Sequence, residues 1–177
     1  MYIHRHISQQ LQRAAQQFRA VFLTGPRQSG KTTLLKNLFP GHHYINLEEP
    51  DTRQWAKEQP RDFLSQNPAP LIIDEAQNAP ELFSYIQSIV DKDPKPGMYL
   101  LSGSQNFLMM EKIAQSLAGR TAVLSLYPLS WEEMQYITTQ KTTNELIIQG
   151  FYPGIFQGIQ DISLFYIFLS FLYAIFL

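Results

Sequence analysis

Cysteine is absent from this chain of 177 residues, and charge is scarce. Without cysteine the chain has no disulfides, thiol nucleophile or thiolate-ligated metal, which is compatible with a reducing cytoplasm. Charged residues make up only 16% and the formal net charge is −1, so the chain as a whole has no electrostatic attraction to nucleic acid. The first ten residues lack the apolar segment of a secretory signal. These absences favour a cytoplasmic protein.

Short apolar runs alternate with amphipathic stretches, which is typical of a parallel sheet with crossover helices. Five runs are apolar enough to predict strands buried on both faces, and they cover residues 20–24, 43–47, 70–74, 98–102 and 121–126. Helices are predicted at residues 7–17, 31–38, in two short segments between 51 and 66, and at 80–91 and 106–117. The length and the pattern predict one α/β domain.

The segment GPRQSGKTT follows the first predicted strand and precedes a predicted helix. Its glycines permit a tight turn and close approach of the main chain to a phosphate, which backbone N–H groups and the helix N-terminus then bind. Lys31 would reach the β- and γ-phosphates and Thr32 would ligate Mg²⁺. Thr33 is better suited to packing of the helix than to a role as a second metal ligand. A glycine-rich turn without a ligand is the alternative. The predicted phosphate-binding residues are Gly25, Pro26, Arg27, Gln28, Ser29, Gly30, Lys31, Thr32 and Thr33.

The segment LIIDEAQ places Asp74 and Glu75 directly after a predicted buried strand. In a doubly wound sheet this position faces the same crevice as the phosphate loop. Asp74 can then hold Mg²⁺ through a water while Glu75 orients and deprotonates the attacking water. An ordinary helix cap is the alternative for an isolated acidic pair. The adjoining base favours hydrolysis of a nucleotide over simple retention.

Two further positions are candidates for the same site. The segment LLSGSQ ends the fourth predicted strand with Ser102, Ser104 and Gln105, any of which could hydrogen-bond a γ-phosphate or the attacking water; the alternative is a polar turn. Arg120 precedes the fifth predicted strand, where it could be an arginine finger for a neighbouring subunit or could only flank the turn at Gly119.

Five motifs in order resemble the AAA-type ATPases of bacteria and archaea that carry a C-terminal DUF4143 domain. They are GPRQSGKTTLL, YINLEEPDTRQWAKEQPRDFL, PLIIDEAQNAPELF, YLLSGSQNFLM and SLAGRTAVLSLYPLSWEE. The similarity extends over about residues 2–166. It implies an ATP-binding P-loop NTPase fold, a three-layer α/β/α sandwich around a mainly parallel five-stranded sheet of order 5-1-4-3-2.

The resemblance also implies residue roles. Gly25, Gly30, Lys31 and Thr32 match the Walker A motif, and Asp74 and Glu75 match Walker B. Ser104 is the residue we expect as sensor 1, since it is the last polar position of the strand end. Arg120 is similar in placement to the arginine finger of oligomeric relatives, which implies a possible homo-oligomer. Arg27 and Gln28 fit the GPRQ pattern of the family without an assigned role.

By the same resemblance, ATP and Mg²⁺ are the expected cofactors, and residues 1–127 form the ATPase core. Residues 128–166 begin a helical lid, and residues 167–177 form an apolar tail. A winged-helix and nuclease-like C-terminal region in longer members implies nucleic acid as a partner through that region alone. The adenine pocket and a sensor 2 arginine are not identifiable. We expect an ATPase module; a nucleotide switch with little turnover is the alternative.

The tail departs from the family pattern. Residues 162–177 hold no charge, and no lysine or arginine follows Lys141. A membrane anchor is one hypothesis, although 16 helical residues rise only about 24 Å against about 30 Å of bilayer core. A buried helix is the second, and it would need burial on every face. We prefer a third, in which the reading frame was lost near Tyr166, and we therefore expect no membrane partner.

Overall fold

A computed structural model describes residues 2–104, 117–135 and 150–154 of the chain. Six α-helices within these residues are α1 (Ser8–Gln17), α2 (Lys31–Leu38), α3 (Pro50–Glu58), α4 (Pro60–Gln66), α5 (Leu82–Lys92) and α6 (Trp131–Gln135). The strands are β1 (Ala20–Gly25), β2 (His43–Asn46), β3 (Leu71–Asp74), β4 (Tyr99–Ser104) and β5 (Thr121–Ser125). A 3₁₀ turn, Ala76–Asn78, follows β3.

The five strands form one parallel sheet in the order β2-β3-β4-β1-β5. This is the order 5-1-4-3-2 that the resemblance implies, so that prediction is confirmed. In a parallel sheet the carboxyl ends of all strands meet at one edge, which we call the carboxyl edge, and the amino ends meet at the amino edge. The loop after β1 and the acidic pair after β3 therefore lie at the carboxyl edge.

Side chains on the two faces of the sheet pack into separate hydrophobic cores, because successive strand residues point to opposite faces. On one face Phe22, Ile73 and Leu101 pack with residues of α3, α4 and α5. On the other face Val21, Leu23 and Leu100 pack with residues of α1 and α2. The helices thus cover both faces, and the fold is the three-layer α/β/α sandwich of P-loop NTPases.

The two strands at the ends of the strand order, β2 and β5, are less buried than predicted. All five strands were expected to be buried on both faces, but this is wrong for β2 and β5, whose residues are mostly half-buried or exposed. Each of them pairs with only one neighbour among the described residues, so fewer elements cover it. Val123 in β5 is 41% exposed. Apolar composition therefore predicted a strand correctly and its burial incorrectly.

Other boundaries differ by a few residues. The helix predicted from residue 80 begins at Leu82, and β4 continues to Ser104, two residues beyond the prediction. The helix predicted over residues 106–117 lies almost entirely outside the described residues. So does the apolar segment 162–177, whose three hypotheses stay open. Within the described part of the chain, no helix is long and apolar enough to cross a membrane.

Candidate nucleotide site

The loop between β1 and α2 turns back on itself through residues with positive φ. Gly25 has a φ of 149° and Gly30 a φ of 93°, while Gln28 adopts a left-handed φ of 62°. A Cβ atom on Gly25 would lie 2.1 Å from the carbonyl oxygen of Leu126, so only glycine fits there. The sharp turn leads directly into the N-terminus of α2, where free backbone N–H groups favour an anion.

Lys31 is the first residue of α2 and is only 5% exposed. Its Nζ donates to the carbonyl oxygens of Gly25 at 3.1 Å and Pro26 at 2.9 Å, both in the same loop. Burial lowers the pKa of the Lys31 ammonium, while the charges of Glu75 and Asp74 oppose that shift. The loop thus folds around its own cation and keeps a positive charge beside the acidic pair.

Asp74, at the end of β3, accepts hydrogen bonds from side chains of three other elements. The Thr32 hydroxyl on α2 donates to its Oδ2 at 2.6 Å, and the Tyr44 hydroxyl on β2 donates to the same oxygen at 3.0 Å. The Ser102 hydroxyl on β4 donates to Oδ1. Burial, followed by the Asp74 charge and hydrogen bond, raises the pKa of Tyr44. Asp74 therefore ties the phosphate loop to the sheet.

Glu75 follows Asp74 in a left-handed backbone conformation, with φ 52° and ψ 44°. Non-glycine residues adopt this conformation at a cost, and such residues are enriched at active sites and ligand-binding loops. The 3₁₀ turn begins immediately, closed by the Asn78 N–H donating to the Glu75 carbonyl at 3.0 Å. The turn brings the Gln77 amide beside both the Glu75 carboxylate and the Ser104 hydroxyl. Three polar side chains from two strand ends thus form one cluster.

A cavity of about 310 Å³ lies over the phosphate loop. The loop and the start of α2 supply part of its wall, and Glu75 adds an acidic group. The remainder comes from residues far away in sequence, which are Tyr2, Ile3, Arg5, Pro153 and Gly154. The sequence reasoning missed these residues, because no local periodicity marks segments that meet only in the folded chain.

Arg5 connects the N-terminal segment to the loop and to the segment before α6. Its guanidinium pairs with Glu133 at 3.1 Å and donates to the Ser29 carbonyl at 2.8 Å and the Tyr127 carbonyl at 2.6 Å. Both side chains of the ion pair are about 95% buried, with 6% and 5% exposure. Glu133 also accepts from the Ser130 N–H while its own N–H donates to the Ser130 hydroxyl. This is a capping box, and its SWEE pattern was a readable sequence signal.

The remaining candidate residues fall in different places. Thr32 and Thr33 line the cavity, and Ser29 is fully buried within the loop, whereas Arg27 is exposed. The Ser102 hydroxyl donates to Asp74 and so helps to hold that carboxylate. A contact of Ser102 with a γ-phosphate or the attacking water, one of the hypotheses above, stays a prediction. Gln105 lies outside the described residues.

Arg120 is not brought to the phosphate loop of its own chain. It lies just before β5, at the amino edge of the sheet, and pairs with both carboxylate oxygens of Asp91 at 2.5 and 2.9 Å. This hydrogen bond raises the pKa of Arg120 and lowers that of Asp91. An arginine finger at this position would have to leave Asp91 and act on a neighbouring subunit.

Thr32 and Asp74, at the carboxyl edge, fit a magnesium ion by their donor chemistry. The Thr32 hydroxyl and the Asp74 carboxylate are already in contact at 2.6 Å, and both are oxygen ligands of the kind Mg²⁺ prefers. Mg²⁺ sites of this class use one or two protein oxygens together with substrate phosphates and waters. A cluster of three His, Cys, Asp or Glu residues is not required, and the described residues contain none.

The parallel sheet, the strand-loop-helix over the cavity and the acidic pair at the end of β3, which β4 separates from β1, define a P-loop nucleotide-binding ATPase module. The family model AAA_14, described as an AAA domain, matches residues 17–135. The chain therefore belongs to this AAA family.

Curated relatives include uncharacterized proteins of Mycobacterium tuberculosis and Mycobacterium bovis. Each is 35% identical over 129 residues, which is 71% of this chain and 29% of the relative. The chain thus spans less than a third of the length of these relatives.

Solved structures share the fold at low identity. The Walker-type ATPase of Pyrococcus abyssi has a TM-score of 0.60 at 15% identity, covering 88% of this chain and 66% of that chain. The AMPPCP-bound DnaA from Aquifex aeolicus has a TM-score of 0.55 at 14% identity, covering 86% and 57%.

Proposed function

We propose that the chain binds ATP with Mg²⁺ in the cavity over the phosphate loop and hydrolyses it to ADP and phosphate. One observation carries the proposal: Glu75 borders the same cavity as Lys31 and Thr32, while the adjoining Asp74 contacts Thr32 at 2.6 Å. A site that only binds the nucleotide, without hydrolysing it, needs a cation and metal ligands. A carboxylate that adjoins the metal-binding residue and faces the cavity is the additional group that hydrolysis requires.

In this proposal the loop amides and the Lys31 ammonium bind the β- and γ-phosphates. Thr32 and Asp74 would hold Mg²⁺, which when bound neutralises charge on the phosphate oxygens. Glu75 orients the attacking water and accepts its proton, and Ser104 donates a hydrogen bond near the γ-phosphate. Lys31 is suited to its role, since its present partners are two carbonyl oxygens that a phosphate can replace.

The distant part of the cavity wall is where the base of the nucleotide would lie. Tyr2, Ile3 and Pro153 give that wall aromatic and aliphatic surface, which suits the flat face of a purine. Adenine is proposed from the family and from the DnaA structure with bound AMPPCP, which shares this fold. Because the N-terminal segment and residues 150–154 both contribute, nucleotide binding would draw these two segments together.

A phosphate-release assay tests the proposal against the alternative of a switch with little turnover. We expect Glu75→Gln to bind ATP with unchanged affinity and to lose at least about 100-fold in turnover, the range of general-base catalysis. Lys31→Ala should abolish binding, and Lys57→Ala, an exposed lysine on α3, is the matched control. Equal turnover in wild type and Glu75→Gln would contradict hydrolysis at this site, and tight binding without turnover would favour the switch.

We further propose that longer relatives pass the motion of this module to a C-terminal region. The segment around Leu129 and Met134 packs against Ile3 and Phe151, and Arg5 joins it to the phosphate loop. A change in the loop would therefore reach α6 and the segment at residues 150–154. A DUF4143 domain and nucleic acid as its partner are carried by the resemblance alone.

A further inference from the structure

Gln77 lies two residues after Glu75, in the 3₁₀ turn that follows β3. Its side-chain nitrogen donates to Oε2 of Glu75 and, at 3.3 Å, to the hydroxyl oxygen of Ser104. A glutamine amide has two N–H donors, so these two contacts use both of them. The neighbouring residue Asn78 donates elsewhere, to the Leu47 carbonyl at 3.2 Å.

The orientation of this amide follows from its two partners. Rotating it by half a turn would point the Gln77 oxygen at the Glu75 carboxylate, and two acceptors would then face each other. In the present orientation the Gln77 oxygen is buried and has no partner among the described residues. Leaving a buried acceptor unpaired costs free energy, so the contact with the carboxylate has to outweigh that cost.

We propose that Gln77 is a positioning residue that holds the Glu75 carboxylate and the Ser104 hydroxyl in register over the phosphate loop. The inference deepens the proposed function and rests on it. Gln77 touches neither nucleotide nor water in this proposal and acts through its two partners. The left-handed backbone at Glu75 gives the carboxylate its direction, and the amide restrains its remaining rotation.

The arrangement also links the two strand ends chemically. Ser104 accepts from Gln77 with its oxygen and still carries its own proton as a donor. Glu75 uses one carboxylate oxygen for Gln77, which leaves the second oxygen for the proton of a water. A displacement of Ser104 at the end of β4 would therefore be transmitted to the Glu75 carboxylate through the Gln77 amide.

Gln77→Met tests this inference, because methionine has similar length and lacks both donors. We expect ATP affinity to stay within about twofold and kcat to fall about 10- to 100-fold, the range for misplacing a reacting group by about 1 Å. The matched control is Gln54→Met on α3, which removes an amide-to-carboxylate hydrogen bond of 2.9 Å to Glu58 at an exposed site. It should leave both affinity and kcat unchanged.

A double variant separates positioning from a loss of folding. In a Glu75→Gln background, Gln77→Met should lower the residual rate by less than about twofold, since its effect passes through a group already removed. An equal loss in both backgrounds, or an unchanged kcat in Gln77→Met alone, would overturn the proposal.

Side-chain amide NMR provides a readout that does not need turnover. The Gln77 amide pair is identified by its absence in Gln77→Met, and we expect both Glu75→Ala and Ser104→Ala to shift it. If neither does, the contact is not present in solution and the proposal fails. If wild type lacks turnover while both shifts occur, the proposed hydrolysis is contradicted, whereas the contacts of Gln77 with Glu75 and Ser104 are confirmed.

Discussion

The charged side chains at the carboxyl edge and the amino edge of the sheet differ in burial and in hydrogen bonding. At the carboxyl edge, Asp74 is 4% exposed and receives hydrogen bonds from α2, β2 and β4. At the amino edge, Arg120 pairs with Asp91 at side-chain exposures of 29% and 38%. Both edges contain short contacts between polar groups. The cavity over the phosphate loop, which Glu75 borders, lies at the carboxyl edge.

The difference shows how much a contact between charged groups contributes to stability in each environment. Exposed ion pairs contribute little, because water and salt screen them and holding long side chains costs entropy. Buried charges are costly unless they are paired and hydrogen-bonded, so their retention indicates a function or a specific structural need. Substitutions at matched positions of the two edges should therefore have unequal effects.

The largest effect is expected from Gly25→Ala at the carboxyl edge. The new Cβ would lie 2.1 Å from the Leu126 carbonyl oxygen, and the φ of 149° is unfavourable for alanine. The loop or β5 must shift, and we expect a loss above about 3 kcal/mol in the free energy of unfolding. Gly41→Ala, in the loop before β2, is the control because a Cβ there meets nothing within 4 Å. Urea unfolding of both variants measures the difference, and equal midpoints would contradict the steric argument.

The next largest effect is expected from Arg5→Met. The substitution leaves Glu133 buried without its cation, which typically costs about 3–5 kcal/mol. Thermal unfolding at pH 7 measures the loss. Arg19→Met is the control at the amino edge, where the side chain is 37% exposed and lies 3.5 Å from Asp91. If the two variants lose the same stability, burial does not govern the strength of these pairs.

A smaller effect is expected from pH. Burial raises the pKa of Glu133, but N–H donors from Ser130 and His6 together with Arg5 outweigh it, so the pKa lies below its usual value of 4.5. A carboxylate with a lowered folded pKa contributes stability that is present above the unfolded pKa and is lost as pH falls through the folded pKa.

The stability of the wild type should therefore fall more steeply below about pH 4.5 than that of Glu133→Gln. Unfolding midpoints recorded between pH 7 and pH 3 measure the two slopes. Glu58→Gln, at an exposed position on α3, should keep the slope of the wild type. Parallel curves for wild type and Glu133→Gln would contradict the assignment.

The smallest effect is expected from Arg120→Ala at the amino edge. Its ion pair with Asp91 is exposed, so the unfolding midpoint and ATP affinity should not change measurably. The same variant tests the arginine-finger hypothesis by turnover. A fall in kcat that appears only at protein concentrations where the chain self-associates would support a finger. An unchanged kcat across concentrations would leave Arg120 as a surface residue.

Much of the fold was predictable, since its signals are local. Five apolar runs of strand length predicted the five strands, and the order of motifs, through the resemblance, implied the sheet order. The burial of β2 and β5 was not predictable, because an edge strand and a central strand can have the same composition. Boundaries also moved where tertiary contacts extended an element, as in β4, which continues to Ser104.

The candidate site was predictable in part for the same reason. Glycines, a lysine and a hydroxyl within nine residues form a contiguous motif, and the acidic pair follows its strand directly. The ion pair of Arg5 and Glu133 joins residues 128 positions apart, and no local sequence pattern predicts a contact between residues so far apart in the chain. Tyr44 and Gln77 are ordinary residues in sequence and gain a role only from their neighbours.

By itself the sequence determined that the phosphate loop can turn sharply and that a cation follows it, because the backbone freedom of Gly25 and Gly30 and the charge of Lys31 are properties of those residues. The tertiary structure decided which groups meet. Parallel pairing of β3 between β2 and β4 brings Tyr44 and Ser102 to Asp74. Parallel pairing of β5 with β1 places Arg120, which precedes β5, at the opposite edge. Register and strand order set those distances, and they depend on the packing of the whole sheet.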